Sequence, residues 1–301
     1  MTDRKRLKII LIIICATLAT VLCCVGIYVF RDVIFYKDPA ESIILNGGIS
    51  LHFVDVGQAD CMLLMTPDGN MLIDSGTDDS EEWLSGYLDS YGIESITYFV
   101  LTHPHDDHIG GADMILKEYE VENIVMTEAE DDSEMYREIE SLIDEKDINV
   151  IVPHSGDVFY LGELKSTVLA PIGETNEYGE LNSTSIVLKC EFGECSFITT
   201  GDAEVDSEKE MIEEYGEFLD CDILKLGHHG SKTSSSYDFL KLTSPKYAIA
   251  CCGKDNTYGH PSAEVTYRLD IFDIQLLRTD KEGSIIFVCD GEEFEYISDR
   301  L

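Results

Sequence analysis

Four apolar runs in this sequence end at the same kinds of residue. YFVLT leads to His103, SFITT to Asp202, DILKL to His228 and His229, and YAIACCG through a longer loop to His260. Six of the eight histidines lie in three of these stretches. One histidine after a strand means little. Four strand ends carrying His or Asp limit the fold, because a layered structure gathers such ends on one edge, where loops carry chemistry. The densest stretch is THPHDDHIGG, with His103, His105, Asp106, Asp107 and His108 inside six residues. Imidazole nitrogen and carboxylate oxygen are the usual ligands of zinc and neighbouring divalent ions. On extended or tightly turned backbone His103 and His105 point the same way, and Asp107 and His108 project from the turn that follows. One segment can therefore supply two metals.

The rest of the pattern supports a layered α/β domain. ISLHFVDVG, DCMLLMTP and NMLIDSG read as strands, with PDGN as a hairpin turn between the last two. DSEEWLSGYLDSYG reads as a helix capped by Asp79 or Ser80 and closed by Gly92. SITYFVLT is a short buried strand. SEMYREIESLIDEK puts Met135, Ile139, Leu142 and Ile143 on one helical face and its acids on a solvated one. STSIVLKCEF, CSFITTGD, DILKLGHH, KYAIACCG, IQLLRT and GSIIFVCD follow as strands with helical patterns between them. Strands and helices recurring in both halves suggest two sheets covered by helices outside. His52 and His154 fall outside the clustered stretches and read as structural.

The first residues differ in character. Arg4, Lys5, Arg6 and Lys8 precede an uninterrupted apolar run over 9–30. At about 1.5 Å per residue such a run spans the ~30 Å hydrocarbon core of a bilayer. The expected organisation is a cytoplasmic N-terminus (1–8), a transmembrane anchor (9–30), a linker (31–47) and one catalytic domain (48–301) outside the membrane. A cleaved signal peptide, leaving a secreted domain, is the alternative, although the apolar run is long for one. The seven cysteines after the anchor include no CxxC pair and read as buried free thiols. With 21 Lys+Arg against 59 Asp+Glu, the net charge of −38 repels nucleic acid at long range unless bound cations reverse the field locally.

FVDVGQADCMLL, LIDSG, LTHPHDDHIGG, LNSTSIVL, FITTGDAE, ILKLGHHGSKTSSS, PKYAIACCGKDNTYGHPSAEV and RTDKEGSI occur in this order. Together they resemble the hydrolase domain of the ComEC/Rec2 DNA-uptake proteins, a branch of the metallo-β-lactamase superfamily that is also similar to teichoic-acid phosphorylcholine esterases. The resemblance implies an αββα four-layer sandwich with two divalent metal ions, zinc by preference with manganese or iron possible on the same ligands. It implies that His103 and His105 hold the first ion, Asp107 and His108 the second, and that Asp202 bridges them. Where many superfamily members supply a further histidine, this chain has Asn182, a poor zinc ligand. His229 is expected to serve the first ion in its place and His260 the second, with His228 against substrate; the order of His228 and His229 is open. Asp55, Gln58, Asp60 and Asp74 either orient metal-bound histidines or form structural turns. Ser231, Lys232 and Thr233 either offer an anion site at a helix start or cap that helix.

The implied chemistry is hydrolysis by a water activated between two metals, with Asp107, Asp202 and His228 handling protons and substrate. The expected function is a membrane-anchored phosphodiesterase or nuclease. A cell-envelope phosphodiester, a teichoic-acid or phosphocholine group, is the alternative substrate. An inactive metal-binding module that recruits partners is the alternative of another class. Protein partners are not legible.

Overall fold

Alternation in the first strand sets the order of the layers. Ile49, Leu51 and Phe53 are buried against a second sheet, while Ser50 and His52 point the other way. Successive strand side chains face opposite sides, so each strand serves two interiors. The computed structural model describes residues 39–129, 131–173 and 181–298. Its strands are β1 (Ile49–Phe53), β2 (Met62–Thr66), β3 (Gly69–Ile73), β4 (Ser95–Leu101), β5 (Glu120–Met126), β6 (Asn149–Ile151), β7 (Val158–Leu161), β8 (Leu164–Ala170), β9 (Val187–Phe192), β10 (Cys195–Thr199), β11 (Ile223–Lys225), β12 (Tyr247–Ala250), β13 (Gln275–Arg278), β14 (Ile285–Cys289) and β15 (Phe294–Ser298). One sheet runs β15-β14-β1-β2-β3-β4-β5-β6 and the other β13-β12-β11-β10-β9-β8-β7.

Three apolar interiors follow. Between the sheets, Leu51, Phe53, Leu64 and Val100 meet Leu188, Phe197, Ile223 and Ile249. Outside the first sheet, Leu63, Leu72 and Phe99 pack on Leu84 and Leu88 of the helix Glu81–Ser90, Ile115 of Ala112–Glu118 and Ile139 of Glu134–Lys146. Outside the second, Ile198, Leu224 and Ala248 pack on Met211 of Val205–Tyr215, Leu240 of Tyr237–Thr243 and Val265 of Ala263–Ile271. Each such side chain contributes about 1.5–3 kcal/mol on burial, so these interiors dominate the stability. The order is helix, sheet, sheet, helix, as expected.

The expected anchor (9–30) lies outside the described residues. Within the stretch read as linker (31–47) the structure has a short helix, Pro39–Leu45. Among the described residues no helix is long and apolar enough to cross a membrane. One expectation is corrected. Cys195, which starts β10, is disulfide-bonded to Cys289, which ends β14, rather than free. Strand parity explains it, since both side chains point into the interior between the sheets. Cys61, Cys190, Cys221, Cys251 and Cys252 are free and buried, as expected.

Strands β3 to β6 are mutually parallel, as are β10 to β13. In such sheets ligands gather at the carboxyl ends of the strands. Here the ends of β3, β4, β10 and β11 lead directly into the clustered histidines and aspartates, and those of β1 and β12 reach Asp60 and His260 through loops.

Candidate metal centre

At the end of β4 the backbone turns sharply between His103 and His108, whose ring centroids nevertheless lie 4.1 Å apart. His105 is extended (φ −92°, ψ 148°) and stands before the short helix Asp106–Ile109, which carries Asp107 and His108 in its first turns. His103 Nε2 and His105 Nδ1 lie 2.9 Å apart, close enough for one ion to meet both. His108 turns inward and is fully buried, with Nε2 3.1 Å from Asp202 Oδ1.

Asp202 divides the centre. Its Oδ1 faces His108 Nε2 at 3.1 Å and His229 Nε2 at 3.9 Å; its Oδ2 faces His228 Nε2 at 3.6 Å and His103 Nε2 at 3.9 Å. A carboxylate with imidazoles gathered around each oxygen is the arrangement a bridging ligand needs. His229 Nε2 also lies 3.1 Å from Asp107 Oδ2. Sets of His103, His108 and Asp202, of Asp107, His108 and His229, and of Asp60, Asp202 and His229 each converge within 4.8 Å. Asp202 Oδ1 and His108 Nε2 are both buried without a hydrogen-bond partner. Facing polar atoms left unpaired in a buried site are costly, and a shared cation satisfies both. These residues fit divalent ions.

The two adjacent histidines of GHHG diverge because both adopt left-handed backbone, His228 at φ 49° and His229 at φ 54°. Such residues cost of order 1–3 kcal/mol each and persist where the surroundings hold them. Here Leu226 N donates to Ile249 O, His228 N to Gly201 O and Ser231 N to His228 O. The turn sends His229 into the interior, while His228 keeps a side chain 29% exposed.

Carboxylates stand behind the imidazoles. Asp74 Oδ2 lies 2.7 Å from His108 Nδ1 and accepts from Thr102 Oγ1 at 2.8 Å. Asp60 Oδ1 lies 3.2 Å from His229 Nδ1, and its Oδ2 is ion-paired with the buried Lys225. Glu204 Oε1 lies 3.0 Å from His228 Nδ1 and accepts from Thr233 Oγ1 at 2.8 Å. Burial pushes His229 down, but the charges of Asp60 and Asp202 outweigh it and hold the imidazole up at about 10. His108 is likewise held well above its ordinary value by Asp202 and Asp74 against burial. Burial pushes Asp202 up, and the neighbouring His108 and His229 more than reverse this, leaving it well below the carboxylate range. His103, with hydroxyls behind it rather than carboxylates, is driven down by burial. The field at this edge favours cations.

The structure differs from the expected allocation in two places. His229 sits with Asp107 and His108, the ligands expected for the second ion, whereas His228 shares Oδ2 of Asp202 with His103. His260 joins none of the converging sets; its ring stacks on His229 at 6.4 Å and on Tyr258 at 5.7 Å, at the rim. Asn182 supports His228, its amide nitrogen 3.3 Å from Nδ1 and 3.5 Å from Glu204 Oε1. Asp74 lies at Nδ1 of His108 and Asp60 at Nδ1 of His229. Gln58 instead accepts from Gly253 N, bracing the loop before His260, and Asp55 accepts from Gly57 N in its own turn. The segment from Ser231 to Thr233 does not start a helix. The helix begins at Tyr237 behind Ser236, and buried Glu208 accepts the N–H groups of Ser235 and Ser236. Those donors are therefore taken, and Lys232 is exposed on the loop. His52, bonded to Tyr87 and Ser50, and the exposed His154 lie apart from the centre. Lys225 and Glu204 were not legible beforehand as site residues.

A family model described as the metallo-beta-lactamase superfamily matches residues 54–254. The chain is 33% identical over 250 residues to ComE operon protein 3 of Bacillus subtilis (strain 168), covering 77% of this chain and 32% of that protein. It is 30% identical over 234 residues to competence protein ComA of Neisseria gonorrhoeae, covering 77% of this chain and 31% of that one. This chain thus spans about a third of the length of the curated relatives it matches. Its fold is similar to that of YhfI from Bacillus subtilis, with TM-score 0.56, 12% identity, and 80% and 100% of the two chains covered. It is also similar to Igni18, a metallo hydrolase from Ignicoccus hospitalis KIN4/I, with TM-score 0.52, 15% identity, and 79% and 98% covered.

Proposed function

Because this chain belongs to the metallo-β-lactamase superfamily and is a metal-dependent hydrolase, we propose that its substrate is a phosphodiester. Two divalent ions bound at this edge, zinc by preference, would lower the pKa of a shared water and neutralise charge on the phosphoryl oxygens. His103, His105 and Asp202 Oδ2 would hold the first ion, and Asp107, His108, His229 and Asp202 Oδ1 the second. The observation that carries this reading is the two-sided environment of Asp202.

The chain's own groups then have separate tasks. Asp107, whose side chain is 35% exposed where that of Asp202 is 2% exposed, is the carboxylate that takes a proton from the attacking water. His228, the more exposed of the GHHG pair, passes a proton from Nε2 to the departing oxygen, with Glu204 and Asn182 holding its Nδ1 side. His260 and Tyr258 form the rim against which the substrate lies.

Two observations bear on which diester is cut. The relative named for competence supports DNA. The net charge of −38 favours instead a shorter or less charged diester of the cell envelope. The apolar run over 9–30 behind four basic residues supports a single-pass anchor with the catalytic domain outside the cytoplasm. An inactive recruiting module is disfavoured by a ligand set that still converges.

Hydrolysis of bis(p-nitrophenyl) phosphate by the full-length chain tests the proposal. Turnover that a chelator abolishes and added zinc or manganese restores is expected. A metal-loaded chain that cleaves neither this diester, nor DNA, nor a glycerol-phosphate polymer overturns it in favour of the recruiting module.

A further inference from the structure

We infer that Lys225 is a positioning residue for the second metal half-site, acting through Asp60 and two backbone carbonyls. The inference rests on the two-metal reading above. Lysine is almost never fully buried unless it is paired, and Lys225 is 1% exposed on β11, directly before the GHHG turn. An ammonium has three donors. All three are engaged: one in the ion pair with Asp60 Oδ2, one to Gly201 O at 3.1 Å and one to Leu226 O at 3.2 Å.

Each acceptor belongs to a different ligand-bearing segment. Gly201 precedes Asp202. Leu226 precedes the turn that carries His229. Asp60 ends the GQAD loop, and its own backbone N–H donates to the carbonyl of Asp107 at 3.0 Å. A single side chain therefore ties together the segments bearing Asp107, Asp202 and His229. It also fixes what stands behind His229. With Oδ2 held by Lys225, Asp60 places Oδ1 3.2 Å from His229 Nδ1, which also meets the carbonyl of Cys251 at 3.0 Å; together they turn Nε2 towards Asp107. Such partners behind a metal-bound imidazole set its orientation and basicity. On the other side His103 has only the hydroxyls of Thr102 and Ser185 at Nδ1. Lys225 thus acts mainly on the second half-site and reaches the first only through the shared Asp202.

Removing Lys225 alone leaves Asp60 buried with its Oδ2 stripped of the ammonium, so that Lys225→Met is expected to lower the melting temperature. The informative variant is the double one, Asp60→Asn with Lys225→Met, which deletes both charges and keeps similar volumes. The measurement is zinc affinity of the full-length chain by competition with a chromogenic chelator, alongside thermal melts of each metal-free chain. The wild type should bind two zinc ions. The double variant should melt near the wild type without metal, bind one zinc as tightly as the wild type, and bind the other 10- to 100-fold more weakly. A folded double variant that binds both ions as tightly as the wild type overturns the inference. So does a double variant that fails to fold without metal, because the pair then serves the fold rather than the centre. A wild type that takes up no zinc overturns the two-metal reading itself, and the inference with it.

Discussion

Single residues at this edge have distinct fates because each imidazole meets a different partner. Asp202 presents one oxygen to each half-site, so Asp202→Ala should lose both ions. His229 lies with Asp107, and His229→Ala should keep one ion and lose the second. His228 is more exposed and braced by Glu204, so His228→Ala should keep both ions and slow turnover about 100- to 10,000-fold, the range for losing a positioned general acid. Elemental analysis and initial rates on the three purified variants decide between them. A one-ion His228→Ala would make that residue the missing ligand of the first half-site. Most of this site was legible in the sequence, since the ligand residues end apolar runs. The allocation of His228 and His229 was not. It depends on two consecutive left-handed residues, and adjacent positions in a string of letters do not say which imidazole turns inward. Glu204 was hidden for another reason. In a chain this rich in acids, one more carboxylate two residues after Asp202 carries no signal of its own. Lys225 did leave a trace, a charge inside the apolar run DILKL, but Lys189 in STSIVLKCEF leaves the same trace. Lys189 donates to the carbonyls of Phe218 and Asp220, away from the metal ligands.

At the scale of elements, legibility followed amphipathicity. The strands β1 to β4 and β9 to β14, most of them carrying a buried apolar run, were all foreseen, although β8 is as buried as these and β13 is only partly buried. The strands β5, β6, β7, β8 and β15 were not. EVENIVM, NVI and VFYL have exposed or half-buried residues at several positions, so their apolar periodicity is weak, and pairing with neighbours defines them. The disulfide lies at the same level. Cys195 opens β10 and Cys289 closes β14, opposite Ile49 at the start of β1, so the bridge joins the sheets at the edge away from the metal centre. Its partners are 94 residues apart in sequence. Closing so long a loop restricts the unfolded chain, an effect typically worth about 2–4 kcal/mol. Replacing both cysteines by serine should lower the urea midpoint accordingly while leaving zinc content and turnover at wild-type levels. A loss of zinc in a variant that remains folded would show that the far edge communicates with the centre.

For the whole molecule, charge rather than fold separates long polyanions, DNA or a glycerol-phosphate polymer, from a short envelope diester. A net charge of −38 opposes the approach of any polyanion, and bound divalent ions reverse the field only near the ligands. Screening at about 0.1 M ionic strength reduces the reach of surface charge to ~10 Å, which weakens repulsion from the acidic surface but leaves the buried centre largely unscreened. A basic nuclease loses affinity for DNA as salt rises, because releasing condensed counterions into more concentrated salt gains less. The opposite sign is expected here. Between about 10 and 150 mM monovalent salt, kcat/KM for an oligonucleotide should rise severalfold, while that for a small monoanionic diester changes little, since a single charge is repelled weakly. Rates measured for both substrates across this range at fixed zinc test the claim. A rate on DNA that falls with salt would mean that a local positive surface, not the acidic whole, governs encounter, and would favour DNA over a short envelope diester as the substrate.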